Sequence, residues 1–450
     1  MPSVAFHTLG CKVNHYETEA IWNLFQKHGY ERKEFGKSAD VYVINTCTVT
    51  NTGDQKSRQT IRRAIRKNPD AVICVTGCYA QTSPAEVMAI PGVDIVVGTQ
   101  DRKKLIGYIE QYRKEREPIN GVTDIMKAKV YEELDVPSFT DRTRASLKIQ
   151  EGCNNFCTFC IIPWARGLLR SRKPGNVIQQ AQQLVDAGYK EIVLTGIHTA
   201  GYGEDMEDYN FAALLRDLEA KVEGLSRLRI SSIEASQITD EVIDVLNRSH
   251  LIARHLHIPL QSGSDRVLRR MRRRYTTAFF AEKIAELRQA LPDFALTSDV
   301  IVGFPGETEE EFQETYDFIR KQRFSELHVF PYSQRTGTPA AQMPDQVSDD
   351  VKHDRVSRLI QLSNRLSGEY AAKYKDQVLE VIPEEPFHHH EADGYFVGFT
   401  DNYLKVRFQY PSHDIVGKLV RIKLVKTGYP INEGRFVRVL DEGETPVTTF

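Results

Sequence analysis

No run in this 450-residue chain approaches 18 consecutive apolar residues, so no segment is long enough to cross a bilayer as a helix. The first nine residues, Met1 to Leu9, carry neither a basic start nor an apolar stretch of the secretory kind. No membrane and a cytoplasmic location are the resulting expectations. Charge of one sign is also missing. The net charge is −2, which neither requires nor excludes a nucleic-acid partner, because a basic stripe can be balanced by acid elsewhere. A solenoid-like repeat is absent too. Cysteine is scarce and uneven: seven in all, and none after Cys160. Disulfides are not expected in a reducing compartment. The cysteines are therefore either scattered core hydrophobes or metal ligands confined to the first third of the chain.

What is present is globular: 41% hydrophobic and 27% charged residues, enough for several cores. Short β-branched runs at 3–9, 40–45 and 71–76 alternate with helix-period segments, which predicts a small parallel α/β domain over 1–112. The charged stretch 113–142 is expected to be a linker. From 143 to 348 six strand-then-helix units predict a partial or full parallel (β/α) barrel. Residues 349–373 predict a connecting amphipathic helix, with Val351, Val356, Leu359, Ile360, Leu362 and Leu366 on one face. Short alternating runs over 374–442 predict a small antiparallel, OB-like β-barrel. The fold class is multidomain α/β.

Cys153, Cys157 and Cys160 form a C-x3-C-x2-C loop just after the first barrel strand, at the end where barrel enzymes place their chemistry. Three thiolates on so short a loop can hold three irons of a [4Fe–4S] cubane and leave the fourth open. The alternative is zinc, which wants four ligands; the only distant candidate for a fourth is His198. Cys11, Cys47 and Cys78 each follow a predicted strand, and in a parallel sheet those ends share one crevice. They predict a second three-thiolate site. Cys74 lies inside an apolar strand and reads as a small core residue.

The string from Gly152 to Pro163, with Arg166-Gly167, resembles the radical S-adenosylmethionine methylthiotransferases. So do Pro259 to Ser264, Thr297 to Thr308, and the spread triad Cys11, Cys47, Cys78. The C-terminal barrel resembles that family's RNA-binding TRAM domain. The resemblance implies two [4Fe–4S] clusters and S-adenosylmethionine. Cys153, Cys157 and Cys160 would bind the cluster whose cleavage of S-adenosylmethionine gives a 5′-deoxyadenosyl radical. Cys11, Cys47 and Cys78 would hold an auxiliary cluster that carries the sulfur. Expected partners are a tRNA anticodon stem-loop, a flavodoxin- or ferredoxin-like electron donor and a sulfur source. Residues around Cys11 resemble the bacterial branch that acts on N6-threonylcarbamoyladenosine at position 37, rather than those acting on isopentenyladenosine or a ribosomal protein. The carboxylate of that substrate calls for a cationic or hydrogen-bonding partner lining the base pocket, for which Arg166 and Arg170 are the candidates.

Further cofactor contacts are expected from Phe159 (against adenine, or simply loop core), Gly196, His198 and Gln261. The run Arg269, Arg270, Arg272, Arg273 and Arg274 cannot share one helix face at 100° per residue. It reads either as a solvated face or as phosphate contacts. Tyr403, Lys405 and Arg407 alternate on a predicted OB-like strand and are the RNA-binding candidates there. His388-His389-His390 reads as a polar turn. An electron-transfer iron–sulfur protein would normally complete each cluster with a fourth cysteine, and a pure RNA-binding module would need no cysteine triads.

Overall fold

A computed structural model describes residues 1–139, 143–386 and 394–440. Six strands form the first sheet: β1 (Ser3–Thr8), β2 (Glu31–Lys33), β3 (Val41–Thr46), β4 (Val72–Gly77), β5 (Ile95–Val96) and β6 (Ile119–Asn120). Their order is β2-β1-β3-β4-β5-β6, and every pairing is parallel. Parallel neighbours require crossovers. These are α1 (Lys12–Lys27), α2 (Asn51–Lys67), the short α3 (Cys78–Thr82) and α4 (Pro84–Met88), and α5 (Leu105–Glu115). β3 and β4 are buried along their whole length, as central strands covered on both faces must be.

The stretch expected to be a linker is not free. It contains β6 of the first sheet, and beyond that Ile125, Tyr131, Leu134, Val136 and Phe139 are buried. Its charged residues masked anchors spaced too irregularly to show a period.

Next come β7 (Ala145–Lys148) and a two-residue antiparallel pair, β8 (Gln150–Glu151) with β9 (Arg170–Ser171), which closes the base of the C-x3-C-x2-C loop. That loop contains α6 (Ile162–Arg166). The barrel continues through α7 (Pro174–Asp186), β10 (Glu191–Thr195), α8 (Phe211–Lys221), β11 (Arg227–Ile230), α9 (Asp240–Arg248), β12 (His255–His257), α10 (Asp265–Arg270), α11 (Thr277–Ala290), β13 (Ala295–Val302), α12 (Glu309–Gln322) and β14 (Glu326–Pro331). Two parallel sheets, β11-β10-β7 and β12-β13-β14, meet at the bridge between Leu228 and Ile252. The result is a partial barrel of six strands.

Helix α13 (Asp349–Ala372) buries Leu359, Leu362 and Leu366, but Val351 and Ile360 are exposed, against expectation. Its inner face is completed by Lys352 and by Arg355, which donates to Glu307 at 2.8 Å. The C-terminal strands β15 (Val378–Pro386), β16 (Tyr395–Thr400), β17 (Lys405–Gln409), β18 (Val420–Lys426) and β19 (Asn432–Val439) close as β15-β16-β17-β19-β18. All pairs are antiparallel except β17 with β19. The triple histidine 388–390 lies outside the described residues.

This small barrel docks against the amino-terminal ends of β10 to β12. Arg229 donates to the carbonyls of Thr400 (3.0 Å) and Asp401 (3.1 Å), and Arg254 Nε donates to the Asp401 carboxylate at 2.6 Å. The arginines gather around buried Glu191, which receives Arg229 Nε at 2.7 Å and lies 3.2 Å from Arg227. Burial alone would raise the Glu191 pKa, but Arg229, Arg227 and Arg144 bring it down to about 2.

Candidate active site

β1, β3 and β4 are adjacent, and Cys11, Cys47 and Cys78 follow their carboxyl ends. Two glycines let these loops converge. Gly10 has φ +105°, and a Cβ there would lie 3.0 Å from Cys47 Sγ. Gly77 has φ +96°, and its Cβ would lie 2.4 Å from the Thr46 carbonyl oxygen. Both conformations favour glycine, and the contact at Gly77 leaves no room for a side chain. Burial pushes the Cys78 thiol up to about 12, against the pull of Arg166. Cys74 is buried within β4 among the residues packing α1 and α5, as its strand position implies.

Cys153, Cys157 and Cys160 sit beyond β8 in a loop fastened at several points to the basic run. Thr158 N–H donates to the Met271 carbonyl (3.1 Å) and its hydroxyl to that of Arg270 (2.8 Å). Arg273 Nη1 donates to Cys157 Sγ at 3.4 Å and to Glu234 at 3.0 Å, and Arg274 donates to the Asn154 carbonyl at 3.1 Å. Burial pushes Cys153 up to about 11 and Cys160 to about 12. Among the described residues no three cysteine sulfurs lie within 4.8 Å of one another. Thiolates on one tetrahedral zinc would sit about 3.8 Å apart, given Zn–S bonds of about 2.3 Å. Three thiolates on one short loop suit a [4Fe–4S] cubane with one iron left open.

A cavity of about 680 Å³ joins the two halves, within the roughly 300–1,000 Å³ range of small-molecule sites. Cys11, Lys12 and Val49 line one side, and Cys153, Cys157 and Cys160 another. Phe159, Gly196, His198 and Gln261 all line it. Phe159 also packs edge-on against Phe304, so its two readings coexist. The His198 N–H donates to Gln150 at 2.8 Å, and Gln261 takes φ +65° where it bridges to Val300.

The expected RNA contacts need correction. Arg273 is buried against the cysteine loop and Arg270 is paired with Glu311 at 2.6 Å, so neither is offered to phosphate. Arg269 and Arg272 are exposed. Tyr403 turns into the barrel cavity, stacked on His255 at 3.9 Å with 7° between rings, instead of presenting a surface for bases. Lys405 is half-buried, and Arg407 pairs with Glu433 at 2.6 Å.

Arg166 and Arg170 do not line the cavity either. Arg166 is fully buried; its Nε donates to Cys78 Sγ at 3.2 Å, and its other nitrogens bond Glu17 and Asn14. Glu17 also meets Arg102 at 2.6 Å and Lys148 at 2.7 Å. Burial would raise the Glu17 pKa, yet Arg102, Arg166 and Lys148 hold it well below the usual range. Arg170 donates to the carbonyls of Arg166 (2.9 Å) and Leu168 (3.0 Å).

Sequence reasoning overlooked a cluster on the cavity wall: Asp299 lies 3.3 Å from His257 Nε2 and 3.1 Å from His328 Nδ1. A signal for it exists. Polar pairs two residues apart, Arg227/Arg229, His255/His257 and Thr297/Asp299, mark the lumen face of strands that read as buried.

A partial parallel barrel with three cysteines on the loop after its first strand defines a radical S-adenosylmethionine enzyme. Residues 147–319 match the Radical SAM superfamily, and residues 3–98 match the Uncharacterized protein family UPF0004. The chain is 73% identical over 442 residues to the threonylcarbamoyladenosine tRNA methylthiotransferase MtaB of Bacillus subtilis (strain 168), covering 98% of each. It is 37% identical to the tRNA-2-methylthio-N(6)-dimethylallyladenosine synthase of Clostridium novyi (strain NT), over 93% of each chain. The fold is also that of the radical S-adenosylmethionine methyltransferase TsrM from Kitasatospora setae: TM-score 0.58 at 15% identity, with 76% of this chain and 77% of that chain covered. The chain belongs to the radical S-adenosylmethionine methylthiotransferase family, a transferase family using a [4Fe–4S] cluster and S-adenosylmethionine.

Proposed function

We propose that this chain places a methylthio group on C2 of N6-threonylcarbamoyladenosine at position 37, in the anticodon stem-loop of tRNA, with two [4Fe–4S] clusters. The observation that carries this is the shared cavity. Cys11 of one triad and all three cysteines of the other border the same 680 Å³, so a base held there is within reach of both. The likeness to MtaB along the whole chain supports the choice of base.

With both clusters and S-adenosylmethionine bound, the site supplies a 5′-deoxyadenosyl radical for the C2 hydrogen and a sulfur to replace it. Cys153, Cys157 and Cys160 would hold one cluster, and Cys11, Cys47 and Cys78 the other. Phe159 offers an apolar face to the nucleoside. The turn from Gly196 to His198 and the Gln261 amide offer polar contacts to the amino-acid portion of S-adenosylmethionine. Arg273 clamps the cysteine loop and Arg166 ties α6 to Cys78, so both hold the geometry without touching the reacting carbon. Walls from three domains, reached by Lys12, Gln261 and Tyr403, surround the space in which the radical would form. Arg269 and Arg272, which are exposed, are the phosphate contacts of this reading. Residues 374–442 act as its RNA-binding TRAM barrel. A flavodoxin- or ferredoxin-like donor and a sulfur source complete it, in the cytoplasm; no helix among the described residues is long and apolar enough to cross a membrane.

The test is nucleoside mass analysis of tRNA from cells with and without the gene. Loss of 2-methylthio-N6-threonylcarbamoyladenosine, with its unthiolated precursor remaining, is expected. Loss of the methylthio-isopentenyl nucleoside instead would overturn the substrate assignment.

A further inference from the structure

Both cysteine sites are reached by one loop of the partial barrel, residues 332–343, which follows β14. The loop is held in shape by its own bonds. Thr338 closes a turn onto the Arg335 carbonyl through its N–H (3.1 Å) and its hydroxyl (2.7 Å), and Gly337 takes φ +87° inside that turn. Gln334 Nε2 donates to the Ala341 carbonyl at 2.8 Å. One end of the loop grips the C-x3-C-x2-C segment. The Ala340 N–H donates at 2.9 Å to the carbonyl of Thr158, which lies between Cys157 and Cys160. Tyr332 and Ala340 are buried in the apolar cluster against which Phe159 packs.

The other end crosses to the sheet domain and meets the segment that carries Cys47. Arg335 donates from Nη1 to Asn51 Oδ1 at 3.0 Å and to the Asp54 carboxylate, and from Nη2 to the Thr48 hydroxyl. The Gln334 carbonyl accepts from Asn51 Nδ2 at 2.9 Å. Thr48, the residue after Cys47, is fully buried and donates to Asp54 at 2.6 Å. Arg335 and Asp54 are buried with it, and a guanidinium fork bonded in two directions fixes orientation as well as distance. Ser57, less than one turn beyond Asp54 on α2, donates to the Cys47 carbonyl at 3.2 Å. The sheet domain is also held at Cys78, where Arg166 joins Glu17 and the thiol. A hold at one triad member leaves the domain free to pivot, and a second hold at Cys47 removes that freedom. Arg335 and Asp54 border a separate cavity of about 720 Å³, away from the one between the cysteine sites.

We infer that Arg335 and Asp54 are positioning residues that set the spacing of the two cysteine sites, so that the radical made at one is used with the sulfur held at the other. This rests on the two-cluster reading above and adds the device that couples its halves. A reacting group displaced by about 1 Å can lose about 100-fold in rate. A radical that finds no partner in place still ends as 5′-deoxyadenosine, so a loosened strut wastes S-adenosylmethionine without stopping its cleavage.

The experiment uses reconstituted holoenzyme and an anticodon stem-loop RNA with N6-threonylcarbamoyladenosine at position 37. Iron content, 5′-deoxyadenosine release and methylthio product are measured on the same samples. The magnetic interaction between the two reduced clusters is read by EPR, because dipolar coupling falls with the cube of their separation. In Arg335→Met, product per 5′-deoxyadenosine should fall on the order of 10- to 100-fold, with iron and 5′-deoxyadenosine release kept and the EPR interaction altered. Asp54→Asn should shift both readings in the same direction. The double variant should be no worse than Arg335→Met, because the two residues act through one bond. Arg335→Lys keeps the charge without the fork and should recover part of the ratio. An unchanged ratio or an unchanged EPR interaction in Arg335→Met overturns the inference. So does a further multiplicative loss in the double variant, or a parallel fall of product and 5′-deoxyadenosine. Loss of about four irons in both single variants overturns it too, since the pair would then serve only to retain the Cys47 site. A wild type that releases 5′-deoxyadenosine but forms no product on this RNA would sink the substrate reading instead, and the EPR comparison would still decide the spacing.

Discussion

Replacing Arg166 by Gln tests whether the two cysteine sites are electrostatically joined. The residue lies six positions after Cys160, yet its Nε donates to Cys78 Sγ at 3.2 Å and its head group is fully buried beside Glu17 and Glu151. Taking the guanidinium about 6 Å from the centre of a cluster on Cys78, at an effective dielectric of about 20, its charge is worth about 2.8 kcal/mol. Adding one electron to the cluster is favoured by that amount, which corresponds to about 120 mV at about 59 mV per tenfold. Arg166→Gln should therefore lower the midpoint potential of this cluster by roughly 100 mV. The clean background is the Cys153/Cys157/Cys160→Ala protein, in which the second cluster alone contributes to an EPR-monitored redox titration. Arg166→Lys keeps the charge and should show a smaller shift. The same substitution leaves Glu17 and Glu151 short of one of three buried cations, a loss of about 3–5 kcal/mol in anaerobic urea unfolding. A midpoint unchanged in Arg166→Gln, with iron content retained, would refute the coupling.

Three further outcomes follow from the same geometry. The reconstituted wild type should carry about eight irons; replacing Cys153, Cys157 and Cys160 by Ala should remove half and abolish S-adenosylmethionine cleavage, whereas replacing Cys11, Cys47 and Cys78 should remove the other half and leave abortive cleavage, as read by iron assay and 5′-deoxyadenosine release. Cys74→Ala should keep all the iron and lose about 1–2 kcal/mol of stability, the cost of a small core truncation; loss of four irons would make it a ligand. Glu191 has an ordinary value of 4.5 and sits at about 2 in the folded chain, so it contributes about 3 kcal/mol above pH 4.5 that fades as pH falls toward 2. Glu191→Gln should flatten that acid limb in urea titrations and speed proteolytic release of the C-terminal barrel.

The parts of the molecule legible in sequence are those whose signal is local. β1, β3 and β4 announce themselves as β-branched runs, and a parallel sheet then dictates that Cys11, Cys47 and Cys78, each just past a strand, share one edge. The C-x3-C-x2-C spacing needs no fold at all to suggest three ligands. β5 and β6 are two residues each, too short to carry a period, and their omission turned the start of β6 and the buried anchors after it into an apparent linker. On α13 the apolar count misled in a different way. Val351 and Ile360 face solvent because Arg355 and Lys352 occupy the inner positions, and Arg355 is buried only because Glu307, 48 residues earlier, is there to receive it.

The basic run shows where local reasoning ends. Five arginines in six positions cannot face one way, and in the structure they do not. Arg270 reaches Glu311, Arg273 reaches Cys157 and Glu234, Arg274 reaches the Asn154 carbonyl, and Arg272 turns the chain at φ +56°. The divergence was readable; the partners, 39 to 120 residues away, were not. Their identity turns Arg273 and Arg274 into a brace that fixes the cysteine loop and leaves Arg269 and Arg272 exposed. Tyr403 makes the same point from the other end of the chain. An aromatic beside alternating basic residues on an OB-like strand suggests base stacking, but its φ of +67° and its stack on His255 turn it into the barrel instead. The C-terminal barrel is thereby built into the wall of the cavity through Tyr403.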